Sequence, residues 1–393
     1  MQPVSSSRAE FSLVAGGPTH RLQQRLGLIT PGSPHLARRA ALSIVLTWVP
    51  LLVLSMAQGL AIGHDVRIPF LHDFAAYARF LVAIPLLILA EGLIEHHIAG
   101  VVAHVIHAGL VPERQYPEYE SALSGAIRRR DCTLVEVVLL GLAGVSVAVV
   151  LNEFPVHVST WLSLVSGSVH TRSWAGWWYL VVGVALFQFL LWRWLWRLGI
   201  WYGFLMRMSR LDLRLIPTHP DRAAGLGFVG DAQRFFWIIV VAFSATAAGV
   251  LGNEIVFGGI PLIRYKIAIA GYVLVVLLVF LGPLLMFLPQ MMWAKIKSVH
   301  DYSTFAVMHN QMFDGQWVQG DNPEGEAVLG TPDISSLADL GNAYEVLDRM
   351  RPVPFDPADA LILVLAALIP LAPLLLTVMP LGQMLELAGK VLM

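Results

Sequence analysis

The chain of 393 residues is 56% hydrophobic and only 13% charged, with a formal net charge of −1. Soluble domains average roughly 45–50% apolar and about 25% charged residues, so a water-soluble globular protein is excluded. The single cysteine, Cys132, excludes an intrachain disulfide framework.

Residues 1–40 form a basic N-terminal segment with Arg8, Arg21, Arg25, Arg38 and Arg39. It lacks the apolar run of a cleavable secretory signal, so the first apolar stretch is expected to remain as an anchor. That stretch lies near Ala41–Ile62 and the second near Phe74–Glu95. Five more follow, near Thr133–Asn152, Trp174–Trp196, Phe235–Gly252, Ile267–Pro289 and Asp359–Met379. Each is close to the roughly 20 residues that cross about 30 Å of hydrocarbon as a helix. Pro50, Pro85, Pro283, Pro370 and Pro373 fall inside spans, where each removes a backbone hydrogen bond that a neighbour or water must replace. Gly59 with Gly63, and Gly199 with Gly203, have the spacing that lets membrane helices approach closely, and a homo-oligomer is one arrangement this allows. After the second, fourth and sixth spans the apolar pattern continues to about Leu110, Leu215 and Phe313. The first six spans are therefore expected to form three hairpins whose long returning helices project into the cytoplasm.

Ionisable groups within hydrocarbon are costly and by default mark a partner or a path. Glu91, Glu95 and Glu136 share a level with Arg193 and Arg197, and bundle-facing ion pairs are the first reading. A proton or cation relay is the second. At the other side Asn152-Glu153 ends the third span and Asn253-Glu254 the fifth, a weak echo of a parallel repeat. Glu153 and Glu254 at one depth could attract cations, or be no more than solvated helix ends.

Beyond the second span stand His96, His97, His104 and His107, which fall within about a 100° arc of one helix face. A hydrogen-bonded polar face, a pH-sensing patch and a metal site compete as readings. His96 and His107 are about 16 Å apart along the axis, so one metal cannot take all four. No metal ligand set, cofactor site or catalytic residue is assigned. In the fourth span Trp174, Trp177 and Trp178 lead and Trp192, Trp194, Trp196 and Trp201 trail, as in aromatic belts at the two headgroup levels. Arg193 and Arg197 among them would snorkel to lipid headgroups and are not taken as a nucleic-acid patch.

The next loop reads HPDRAAGLGF, with His219, Asp221 and Arg222. Pro220 and the glycines shape a turn while Asp221 and Arg222 cap or pair with nearby helix ends. Its His-Pro-Asp is shared with J-domain co-chaperones, but the two amphipathic soluble helices of that signature are missing. Together with DISSLADLGNAYEVLDRMRPVPF, residues 333–355, this loop resembles strings in a family of uncharacterised bacterial multi-spanning inner-membrane proteins. The resemblance implies a bacterial inner-membrane location and carries no substrate, cofactor or site residue. Between the two segments, residues 314–333 are polar and broken by Gly and Pro, as in a linker. The helix that follows is expected to be capped by Ser336 with Asp339. Its stripe of Ile334, Leu337, Leu340, Tyr344, Leu347 and Met350 needs a partner, most simply the projecting helices.

Twenty Arg and Lys fall on one side of the spans and five on the other. Basic residues stay on the cytoplasmic side, so the N-terminus is expected inside and the C-terminus outside. The expected architecture is an all-α bundle of seven spans. It divides into the basic segment 1–40, a six-span bundle 41–313, a cytoplasmic linker and amphipathic helix 314–358, and a last span with tail 359–393. An ion or small-solute channel or transporter is the favoured function. A sensor, scaffold or assembly protein acting through its cytoplasmic helices is the rival.

Overall fold

The computed structural model describes residues 11–30, 33–62, 66–153, 160–166, 169–319 and 332–377. Among them seven helices are long and apolar enough to cross a membrane. Only 17–50% of the most apolar window of each is buried inside the protein. Most of that apolar surface faces outward, which water does not tolerate on this scale. The chain is an integral membrane protein.

A short helix, α1 (Gly17–Arg25), precedes the first span, α2 (Leu36–Ala57). The second span, α3, is continuous from Phe74 to His107, and α4 (Tyr116–Arg130) connects it to the third, α5 (Thr133–Glu153). A two-stranded ribbon, β1 (Ser163–Ser166) antiparallel to β2 (Val169–Arg172), leads into the fourth span, α6, from Trp174 to Met208. Then come α7 (Gly227–Arg234), the fifth span α8 (Trp237–Val256), and α9 (Lys266–Leu281) with α10 (Leu288–Phe313). The last two are joined by a 3-10 turn at Gly282–Phe287, where Pro283 lies. After α11 (Pro332–Asp348), the seventh span is α12 (Pro357–Leu368), continued by 3-10 turns over Ile369–Thr377 around Pro370 and Pro373. The run from Leu262 to Val318 is 57 residues, or roughly 85 Å at 1.5 Å per residue, far longer than a bilayer needs. Helix α6 stops at Met208 rather than Leu215, and Gln290 Nε2 donates to the Ser209 and Leu211 carbonyls just beyond its end.

Helix α3 packs against α2 and α8, and α5 packs against α6. Helices α8 and α9 meet through Ser244 with Tyr272 and Phe236 with Phe280, while α12 packs along both. Spans α3 and α6 each begin with an α-turn and then widen into a π-turn, at Ala78–Ala83 in α3 and Tyr179–Val184 in α6. These π-turns face each other. A Cβ on Gly183 would come 2.7 Å from the Phe80 ring, Phe80 meets Tyr179 edge-on, and Arg79 donates to the Tyr179 hydroxyl.

At this end of the bundle Asp73 is a buried hub. It caps α3 through the Ala75 and Ala76 amides and accepts Trp161 Nε1 at 2.8 Å and Asn253 Nδ2 at 2.7 Å. Gly249 supports the same junction, because a Cβ there would lie 2.7 Å from the Phe74 carbonyl oxygen. Among the described residues the expected glycine contacts form only at Gly203, where a Cβ would lie 3.2 Å from Arg129 Nη1 on α4. Gly59 has φ +70 just beyond α2 and nothing near its Cβ position, so it ends the helix; Gly199 likewise has open space, and Gly63 lies outside the described residues. The trailing aromatic belt is also corrected, since Trp194 and Trp201 are fully buried, donating to the Leu87 carbonyl and to Gln233.

At the opposite end α11 runs antiparallel to α10. Leu337, Leu340 and Tyr344 lie against Ser303, Ala306 and Asn310, and Leu347 and Met350 are buried. Lys295 holds the C-terminus of α11 through the Asp348 and Met350 carbonyls. Ser336 is not the cap, because α11 starts at Pro332; its hydroxyl turns back to the Asp333 carbonyl. The first linker residues, Asp314–Val318, extend α10 as a π-turn, and residues 320–331 lie outside the described residues.

Candidate functional site

Helical spacing puts Glu91 on the inward face of α3 and Arg193 and Arg197, one turn apart, on the facing side of α6. The structure brings them together with Arg39 from the first turn of α2. Glu91 Oε2 accepts Arg39 Nη2 at 2.5 Å, and Oε1 accepts Arg197 Nη1 at 3.0 Å and Arg193 Nη1 at 3.5 Å. All four side chains are at most 6% exposed. A fully buried carboxylate against three guanidinium groups is stable only because each half of the cluster compensates the desolvation of the other. Arg197 also lies over the Trp194 ring, 4.8 Å from its centre. Its Nη2 is buried without a partner.

Glu95 and Glu136 do not join this cluster directly; they hold the N-terminal segment. Glu95 accepts the Leu13 and Val14 amides at 2.9 and 3.0 Å, and Glu136 accepts both the amide and the hydroxyl of Thr19 at 2.7 Å. Arg130 donates to the Ser12 carbonyl, Phe11 stacks on Phe204, and Leu13 is fully buried. Residues 11–25 are thus part of the bundle and lie beside the charges. Burial and then Arg193 depress the His20 pKa below the ordinary histidine value.

Of the four histidines only His97 is partly buried, and His96, His104 and His107 are exposed. His97 stacks on Phe235 with ring centres 3.3 Å apart, His104 meets Phe228 edge-on, and His97 and His107 donate to the carbonyls one turn back. His96 touches His97. Among the described residues no group of His, Cys, Asp and Glu is arranged to hold a metal.

Asp221 organises the loop before α7. Its carboxylate accepts the Ala223, Gly225 and Gly227 amides, and His219 Nδ1 lies 2.9 Å from Oδ1. Arg222 and Ala224, at φ 54 and 57, are held left-handed by this wrap. Burial alone would raise the Asp221 pKa, but the Ala223, Gly227 and Gly225 amides and His219 outweigh it and hold the carboxyl below its usual range. Arg351 then binds the loop: its amide donates to the Arg222 carbonyl, Nη2 to the Asp221 carbonyl at 2.9 Å and Nη1 to Asp356 at 2.5 Å. Asp356 caps α12 in a capping box with Asp359, and a Cβ on Gly230 would lie 2.1 Å from the Pro354 oxygen. The two segments singled out in the sequence therefore lock together.

No family model, curated protein or solved structure matches the chain.

Glu254 stands at the far end, exposed and accepting the Tyr265 hydroxyl, with Arg67 bound to the nearby Phe257 carbonyl. The Glu153 backbone ends α5, and its side chain lies outside the described residues. Near that end is a groove of about 690 Å³ between α3, α8 and the seventh span, lined by Phe74, Ala78, Gly252 and Leu374. It is almost wholly apolar and distant from Glu91. Arg39 was the member of the cluster that sequence reasoning missed, having counted it with the basic tail; its separation of one helical stretch from a carboxylate 52 positions away leaves no local signal. Asp73 and Trp161 were also missed, although the Asp before Phe74 is an ordinary N-cap signature.

Proposed function

We propose that the protein moves an ion or small solute across a bacterial inner membrane, with its N-terminus cytoplasmic and its C-terminus outside. The observation that carries this reading is the convergence of Arg39 from α2 and of Arg193 and Arg197 from α6 on Glu91 of α3, a charged centre shared by three spans. A merely structural bundle gains little from such a centre, since apolar packing of equal volume is often as stable, and intramembrane charges mark pathways more often than scaffolding. The π-turns and the proline-broken spans are consistent with transport, where irregular helices line a route. The orientation rests on the excess of basic residues, which survives when buried Arg39, Arg193 and Arg197 are set aside.

The test is flux in vesicles reconstituted with the purified protein, under gradients of several cations and anions. Flux reduced by Glu91→Gln and retained by Glu254→Gln supports the reading. No flux under any gradient turns the assignment to the rival, a scaffold or sensor acting through its cytoplasmic helices. The apolar side chains that α10 leaves exposed beside α11, Phe305, Met308 and Met312, favour that second reading.

A further inference from the structure

The charge balance around Glu91 is uneven. Three guanidinium groups contact one carboxylate. Glu136 is the other acidic group that acts on Arg193, but both its oxygen bonds are to Thr19, through Oε2. Glu95 is taken by the Leu13 and Val14 amides. Beside the cluster His20 favours its neutral form. Two positive charges are therefore left without a direct counter-charge in a region of low dielectric, where an unpaired ion costs several kcal/mol. Arg197 adds a second, independent sign: its side chain is 4% exposed, yet Nη2 has no hydrogen-bond acceptor. A buried guanidinium nitrogen of this kind is expected to be paired.

We infer that this centre binds a small oxyanion of the phosphate or sulfate class at Arg197 Nη2, beside the Arg39–Glu91–Arg193 group. Guanidinium groups suit such ligands because their planar N–H forks match tetrahedral oxyanions, and they remain charged at any physiological pH. The same chemistry is offered by free inorganic phosphate and by the phosphate of an anionic lipid headgroup. Residues 11–25 lie beside the cluster, held on Glu95 and Glu136. The inference deepens the transport reading by naming its solute class, and it rests on that reading only for movement, not for binding.

The experiment measures binding on the full chain without asking for flux. Equilibrium dialysis of the detergent-purified protein with radiolabelled phosphate, against chloride at matched ionic strength, is expected to show saturable binding of one phosphate per chain, competed by sulfate. Arg197→Gln is expected to weaken it about tenfold or more, as for loss of a charge-assisted hydrogen bond, and Arg197→Lys by less. The wild-type stoichiometry stands even if Arg197→Gln fails to fold. A parallel arm compares thermal midpoints in nanodiscs of anionic and zwitterionic phospholipid. A midpoint raised by anionic lipid alone, and lost in Arg197→Lys, assigns the oxyanion to the headgroup. Absence of phosphate binding together with equal midpoints in both lipids overturns the inference, as does phosphate binding unchanged in a folded Arg197→Gln. Saturable binding without flux would sink the transport reading and leave the anion site standing; cation flux without anion binding would do the reverse.

Discussion

Two carboxylates organise this protein, Glu91 and Asp221, and they do so in opposite ways. Glu91 gathers side chains from two other spans, the most distant 106 residues along the chain. Asp221 gathers backbone amides within six residues of itself. A hub built from distant helices defines how the bundle is assembled, whereas one built from adjacent amides defines the shape of a single loop. The first is fully buried and must be neutralised by charge; the second is partly exposed and needs only dipoles. Disruption should accordingly be global at Glu91 and local at Asp221.

The largest expected effect tests the first hub. Glu91→Ala leaves three buried guanidinium groups without their carboxylate and should cost about 3–5 kcal/mol, read as a large fall in the thermal midpoint of the purified protein. A midpoint unchanged from wild type would remove the contrast between the hubs. Asp221→Ala should cost less, about 1–3 kcal/mol, because it strands backbone amides. Its damage should appear in hydrogen exchange at residues 219–230 and 349–356 and leave α3 and α6 protected. Since the Asp221 pKa is depressed in the fold, its contribution is fully present above the ordinary carboxylate value of about 3.9 and is lost as the pH falls through the lower folded value. Loop exchange that rises already between pH 7 and 5 would contradict that window.

His20 gives a third comparison at higher pH. Its folded pKa lies below the ordinary value of about 6.5, so the neutral ring favours the fold, and that contribution fades as the pH drops below 6.5 toward the folded value. Protection of the Leu13, Val14 and Thr19 amides, taken relative to their intrinsic exchange rates, should fall from pH 7 to pH 5, and His20→Asn should flatten the response. The smallest effect belongs to an exposed pair. Arg349→Ala removes a bridge to Glu345 one turn away on α11, and such surface pairs contribute only about 0.3–0.5 kcal/mol. A loss comparable to that of Asp221→Ala would mean that exposure is a poor guide here.

The spans could be read from the sequence because crossing hydrocarbon demands a length and an apolarity that short windows reveal. Glu91, Arg193 and Arg197 stood out for the same reason, as charges inside apolar runs. Arg39 did not, since it follows Arg38 at the end of a basic stretch and only tertiary contact separates the buried arginine from its exposed neighbour. The π-turns carry no composition signal; Tyr179–Val184 contains no proline, and its Gly183 sits closely on the Phe80 ring. Trp194 and Trp201 were misplaced because a row of tryptophans looks alike whether it faces headgroups or a bundle interior, and their inward turn depends on acceptors at Leu87 and Gln233. The HPDRAAGLGF loop and residues 333–355 were visible separately, but nothing local indicated that Arg351 would tie one to the other.

The paired π-turns set the angular phase of everything beyond them. Each accommodates one residue more than an α-turn, which offsets the downstream half of its helix by about 100° from a wheel drawn at Phe74 or Trp174. Glu91 and Arg193 both lie beyond this extra step, in the re-phased part of their helices. Excising a single residue from either turn would straighten that helix and swing one partner away from the other.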